Sequence, residues 1–152
     1  MTPRGRTNQL IYQAELLLDV ASGDDEHGTA RRMAVDEGAL ALLELALNAA
    51  LREFTEHARL AHHDWRELLD ERGERIAELE QLRELASRPE SWLATLMTRI
   101  AALHGMEGAA RREANASLIV AADRVALADE LRWCVSQFKQ QLGDLRETSA
   151  EW

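Results

Sequence analysis

Residues Thr29 to Ala61, TARRMAVDEGALALLELALNAALREFTEHARLA, decide the fold. The stretch holds no proline, and Gly38 is its single glycine. Met33, Leu40, Leu43, Leu47, Ala50, Phe54, His57 and Ala61 recur in steps of three and four, with one double step from Met33 to Leu40. That spacing stacks side chains on one face of an α-helix. A second row, Val35, Ala39, Leu42, Ala46 and Ala49, widens the stripe, as expected of an inner helix with neighbours on two sides. Glu37, Glu44, Asn48, Arg52, Thr55 and Arg59 fall on the remaining strip and are expected to face water.

Working outward, Leu10, Ile11, Ala14, Leu17, Leu18 and Ala21 give one face of a first helix over about Arg6 to Ala21, with Thr7 or Asn8 as its cap. The polar run Ser22 to Gly28 then turns the chain, making the first two helices an antiparallel pair. Asp64 before Trp65 reads as the cap of a third helix reaching about Ala86 through Leu68, Leu69, Ile76, Leu79 and Leu82, with Gly73 as a kink. Glu71 with Arg75 and Glu84 with Arg88 are spaced for i, i+4 ion pairs along it. Ser87, Arg88 and Pro89 break that helix and start a fourth. Its face is Trp92, Leu93, Leu96, Met97, Ile100 and Leu103, and Gly105 is its stop. Met106 to Ser117 reads as a connection, with a helical turn over Ala109 to Ala114 as the alternative, and Leu118 to Val120 is too short to argue a sheet. A last helix from near Asp123 repeats Leu131, Val135, Phe138, Leu142 and Leu145 in steps of four and three, a coiled-coil-like seam. The expectation is an all-α chain, an antiparallel up-down helical bundle of four to five helices with one long central helix. Without a recurring period or a flexible linker, residues 1–152 are expected to form a single domain.

Composition agrees with that class. A chain of 152 residues fits one core, and Leu and Ala dominate its 46% hydrophobic content while β-branched residues are few. No apolar run of about twenty residues is present to span a bilayer, and Met1 to Arg6 lacks the layout of a secretion signal, so a cytoplasmic location is the expectation. Cys134 is the only cysteine and has no internal disulfide partner. The net charge of −9 argues against nonspecific binding to nucleic acid or anionic lipid.

Four histidines merit inspection as chemistry: His57, His62, His63 and His104. Arg52, five residues before His57, gives an arginine–histidine spacing that resembles the active motif of the helical HEPN ribonucleases. There the pair polarises a phosphate and moves the 2′-hydroxyl proton. A regular helix rotates the two side chains about 140° apart and so does not bring them together; Arg52 and His57 stand as the catalytic candidates, with His57 more simply a hydrogen-bonded residue at the core edge. Glu53 with His57, and His63 with Glu67, offer two ligands each, but no matching set follows on a later helix, so no metal or cofactor is expected. Cys134 reads as a packed side chain, and Ser91 and Ser136 have no histidine nearby in sequence. Among the tryptophans, Trp133 lies off the last helix's seam and Trp152 flanks it, which makes these two the candidate interaction residues.

Three segments carry a wider resemblance: Arg6 to Ala14 at the start, Ser91, Trp92 and Leu93 opening the fourth helix, and Leu145, Arg146, Glu147, Glu151 and Trp152 at the end. On these the chain resembles a small family of bacterial all-helical proteins to which no function is assigned. The resemblance implies a cytoplasmic helical protein and transfers no catalytic residue. From the residues themselves the expectation is a protein–protein interaction or scaffold module rather than an enzyme, with a protein partner or a homo-oligomer; the last helix's seam either pairs with another chain or packs inside this one. Neither a membrane nor nucleic acid is expected as partner. The alternatives are a nuclease-like protein using Arg52 and His57, or an acidic mimic of nucleic acid. The mimic's carboxylates, Asp64, Glu67, Asp70, Glu71, Glu74 and Glu78, are interleaved with Arg66, Arg72 and Arg75.

Overall fold

In the computed structural model, residues 1–110 and 126–150 are described, and they contain six α-helices and no strand. These are α1 (Pro3–Leu18), α2 (Gly28–Thr55), α3 (Trp65–Leu68), α4 (Ala77–Ala86), α5 (Trp92–Leu103) and α6 (Leu127–Ala150). Six replace the expected four to five because the anticipated third helix is two. The expected start near Asp123, the short run Leu118 to Val120 and the terminal Trp152 lie outside the described residues. No helix among the described residues is long and apolar enough to cross a membrane.

Helix α1 begins earlier than its apolar pattern. Thr2 accepts a hydrogen bond from the Gly5 amide at 3.0 Å and Pro3 occupies the first turn, a combination that satisfies a free amide and presets φ. Thr7, expected as the cap, is instead buried, its hydroxyl donating to the Pro3 carbonyl. The turn after α1 is fastened by arginines of α2. Arg31 reaches the Ser22 carbonyl at 2.5 Å and the Asp25 carboxylate, and Arg32 donates to the Val20 carbonyl at 2.8 Å while pairing with Asp36. This turn presses on the start of α2 so closely that a Cβ on Gly28 would lie 2.5 Å from the Gly23 carbonyl oxygen. Only glycine fits there.

Helix α2 ends at Thr55 rather than Ala61. The buried Thr55 hydroxyl donates back to the Leu51 carbonyl, residues Glu56–Ala58 tighten into a 3₁₀ turn, and Arg59 takes a left-handed backbone with φ 49° that ends it. His57 and Ala61 therefore leave the apolar row and are exposed. Between α3 and α4 the chain turns at Asp70 to Gly73 and runs extended through Ile76. The break is held by Arg83 of α4, which donates to the Leu68 carbonyl at 2.7 Å and to the Glu74 carbonyl at 2.7 Å. Gly73 sits against that guanidinium, where an added Cβ would collide with it. Arg75 consequently pairs with Glu80 instead of Glu71, whereas the anticipated Glu84–Arg88 pair forms at 2.7 Å. Ser91 then caps α5 through the Ala94 amide and donates to the Leu85 carbonyl, joining two helix ends with one hydroxyl.

The core gathers Leu10, Ile11, Ala14 and Leu18 of α1, Leu40, Leu43, Leu47 and Leu51 of α2, Leu93, Leu96 and Ile100 of α5, and the seam of α6 into one cluster. Leu131, Val135, Phe138, Leu142 and Leu145 are all buried within this chain, with the Phe138 ring 4.9 Å from that of Trp92. Of the two readings of the seam, internal packing is the one realised: its apolar surface is covered by the chain's own helices. Cys134 packs beside it, burial pushing its thiol up to about 12 with the Glu130 carboxylate adding to the effect, so the reactive thiolate is suppressed.

Candidate functional site

The polar strip of α2 does not simply face water. Glu37 accepts a hydrogen bond from the Ala110 amide at 3.1 Å, 73 residues away in sequence. Asn48 accepts from the Trp65 amide at 2.9 Å. Glu44, its side chain only 13% exposed, accepts from the Trp65 indole at 2.8 Å, lies 2.6 Å from His104 Nε2 and 3.4 Å from the Arg66 guanidinium. Arg66 stacks over the Trp65 ring at 4.6 Å. Thr55, expected on the same strip, is buried. Four of the six residues assigned to solvent thus engage the protein itself, and three of them moor α3, the end of α5 and the segment that follows it. Among the described residues no buried side-chain nitrogen or oxygen lacks a partner.

Beside this row lies a groove of about 580 Å³. Thr2, Pro3, Arg6 and Leu10 supply one wall from α1 and its cap, and Leu45, Asn48, Ala49 and Arg52 supply the other from α2. Arg6 and Leu10 are one helical turn apart, as are Leu45, Asn48 or Ala49, and Arg52, which is why each wall alternates apolar and polar groups along its length. After the 3₁₀ turn the chain doubles back, moored by the Asn48–Trp65 hydrogen bond, and brings His63 and Asp64 to the same groove. Met1 closes the set.

Most arginines outside the groove are neutralised from within the chain, although Arg4, Arg59 and Arg72, like those of the groove, form no ion pair among the described residues. Arg31, Arg32, Arg66, Arg75, Arg83, Arg88, Arg99, Arg132 and Arg146 all pair with carboxylates. No ion pair among the described residues reaches Arg52, and Arg6 donates only to Gln9 at 2.6 Å. His63 is held below its ordinary pKa by burial first, then by the Arg52 guanidinium and by His62. Asp64 is the single acid of the groove among the described residues, and it already accepts from the Arg66 amide at 2.8 Å as the cap of α3.

Of the two residues whose spacing suggested chemistry, Arg52 therefore lines the groove while His57 stands outside it on the exposed 3₁₀ turn. The histidine that shares the groove with Arg52 is His63, which a continuous helix to Ala61 does not place there. Glu53, read as a metal ligand with His57, is engaged at 2.6 and 3.0 Å by Arg146. Among the described residues no group of three His, Cys, Asp or Glu side chains is placed to hold a metal ion. Of the acids named for a nucleic-acid mimic, Asp64 lies near Arg66; the nearby Glu80, outside that set, takes both Arg75 and Arg83. Trp133 is 43% exposed on α6, pointing away from the buried seam.

Comparison with known proteins adds a family and no chemistry. The model of a family described as "Family of unknown function (DUF6586)" matches residues 1–152. No curated protein and no solved structure matches the chain.

Proposed function

The chain belongs to the DUF6586 family of unknown function over its whole length, and from its geometry we propose that it is an interaction module, a single-domain antiparallel helical bundle that receives a segment of a partner protein between α1 and α2. The bundle reading is supported by contacts that run in opposite order along neighbouring helices. Arg132 and Lys139 of α6 meet Leu18 and Glu15 of α1, and Glu130 and Cys134 of α6 meet Arg99 and Trp92 of α5. A central α2 is supported by its contacts with each of the other five α-helices. The binding reading is carried by one observation. Arg52, without an ion pair among the described residues, and a nearly free Arg6 flank exposed apolar surface at Leu45, in a chain whose other arginines are mostly neutralised from within. An arginine left without a carboxylate on a surface with net charge −9 is the natural contact point for something outside the chain. The interior of a reducing cell is the setting this reading assumes.

The nuclease-like alternative draws less on the geometry, because His57 is not among the groove residues. The test is a photo-activated cross-linking residue placed at Leu45 in the native cell, with Gln140 on exposed α6 surface as the control position. The expected outcome is a discrete adduct from Leu45 alone that disappears when Arg52→Glu is added. Equal labelling from both positions, or an adduct indifferent to Arg52, contradicts the reading.

A further inference from the structure

Resting on the groove being the binding site, we infer that it selects an acidic peptide segment, whose carboxylates are held by Arg52 and Arg6 and whose apolar side chains lie against Leu45 and Ala49. The charge distribution leads to this ligand. A net charge of −9 repels anions over most of the surface, yet the groove brings together two guanidinium groups and His63 with one acid among the described residues, Asp64, already engaged as a helix cap. A guanidinium is a planar fork that matches a carboxylate with two parallel hydrogen bonds, and Arg52 has no such partner among the described residues.

Shape separates the candidate anions. A free phosphate occupies a small part of a groove of about 580 Å³ and leaves its apolar wall uncovered. A nucleic acid carries a charge on every repeat and meets the chain's surplus of carboxylates beyond the groove. A peptide places carboxylates on the arginines and apolar side chains on Leu45 and Ala49, and it leaves the groove along an open face. His63 adds a signature. Burial and the neighbouring Arg52 charge disfavour its protonated form, so a carboxylate bound beside it restores protonation and the protein takes up a proton on binding. The charged and titratable groups facing it are Arg52, Arg6, His62 and Asp64.

The experiment measures fluorescence anisotropy of three labelled peptides on the full-length protein. One alternates Glu and Leu, one alternates Lys and Leu, and one alternates Ser and Leu. Inorganic phosphate serves as an unlabelled competitor, and the His63 ring resonances are followed by NMR. The expected result is binding of the Glu peptide alone, weakened about tenfold or more by Arg52→Gln and by high salt, with His63 titrating at higher pH in the complex. Circular dichroism confirms that the exposed substitution leaves the fold intact. Binding of the Lys peptide, indifference to Arg52→Gln, displacement by equimolar phosphate, or no binding of the Glu peptide overturns the inference. Binding of the Ser peptide with shifts at Leu45 overturns the charge selection alone and leaves the groove as a docking site; loss of the Leu45 cross-link removes the docking site itself.

Discussion

Two rows of α2 tell opposite stories about what a helical pattern means. On the apolar row, Leu40, Leu43, Leu47 and Leu51 are buried as their spacing dictates, packed in one cluster with α1, α5 and α6. On the polar row, Glu37, Glu44 and Asn48 sit where an amphipathic helix presents its side chains to water, yet each holds a hydrogen bond from a distant part of the chain. Burial of apolar groups is non-directional, so periodicity alone specifies it. A polar side chain's partner is set by where loops return, and that information lies outside the helix. The apolar row builds the body of the protein, and the polar row decides where the 59–76 segment and the end of α5 are moored, and with them His63 and the floor of the groove.

Substitutions that strike one row and spare the other sharpen this contrast. Leu47→Ala, at a fully buried position, is expected to cost about 2–5 kcal/mol in equilibrium denaturation, since a cavity is added to the lost transfer energy. Glu44→Ala leaves the Trp65 indole N–H without its acceptor and releases Arg66 and His104, an expected loss of about 1–3 kcal/mol by the same assay. Equal losses from Leu47→Ala and from Leu45→Ala, at a half-exposed leucine of the same helix, would break the comparison by showing that the apolar row does not face the core. Glu84→Ala, which removes only the exposed pair with Arg88, is expected to change stability by less than about 0.5 kcal/mol.

The smallest effect is a pH dependence at His63. Its folded pKa is lowered from 6.5, so the unfolded chain binds the proton more readily than the folded one. Stability is therefore fully present above pH 6.5 and is lost as pH falls below it. His63→Gln is expected to flatten the part of a Tm-against-pH profile that falls away below pH 6.5, and a profile unchanged by the substitution would show that His63 is not desolvated.

The helices of the body are legible in the sequence because long periodic stretches resist ambiguity: α2, α5 and α6 lie on the faces their leucines mark. What escapes such a reading is set by single side chains acting over distance. The cap of α1 moves to Thr2 because Pro3 behind it is a better first-turn residue than the pattern's own start at Arg6. The helix expected over Trp65 to Ala86 splits because Arg83 folds back onto the Leu68 carbonyl, which no local propensity announces. The seam of α6 reads identically whether it meets this chain or a second copy, and only the packing of α5 and α1 over it distinguishes the two. Of the groove, Arg52 stands out by its spacing to His57. Its actual companion His63 depends on the left-handed Arg59, a position with no glycine to mark the turn.

Hydrogen–deuterium exchange on the Glu44→Gln variant tests most directly whether the polar row moors the chain. The substituted amide remains able to accept one hydrogen bond but lacks the charge that gathers Arg66 and His104. The account predicts faster exchange across α3 and the flanking 59–76 segment, with α1 and α6 protected as in the native chain. Unchanged protection in α3, or a uniform rise across every helix, would contradict it.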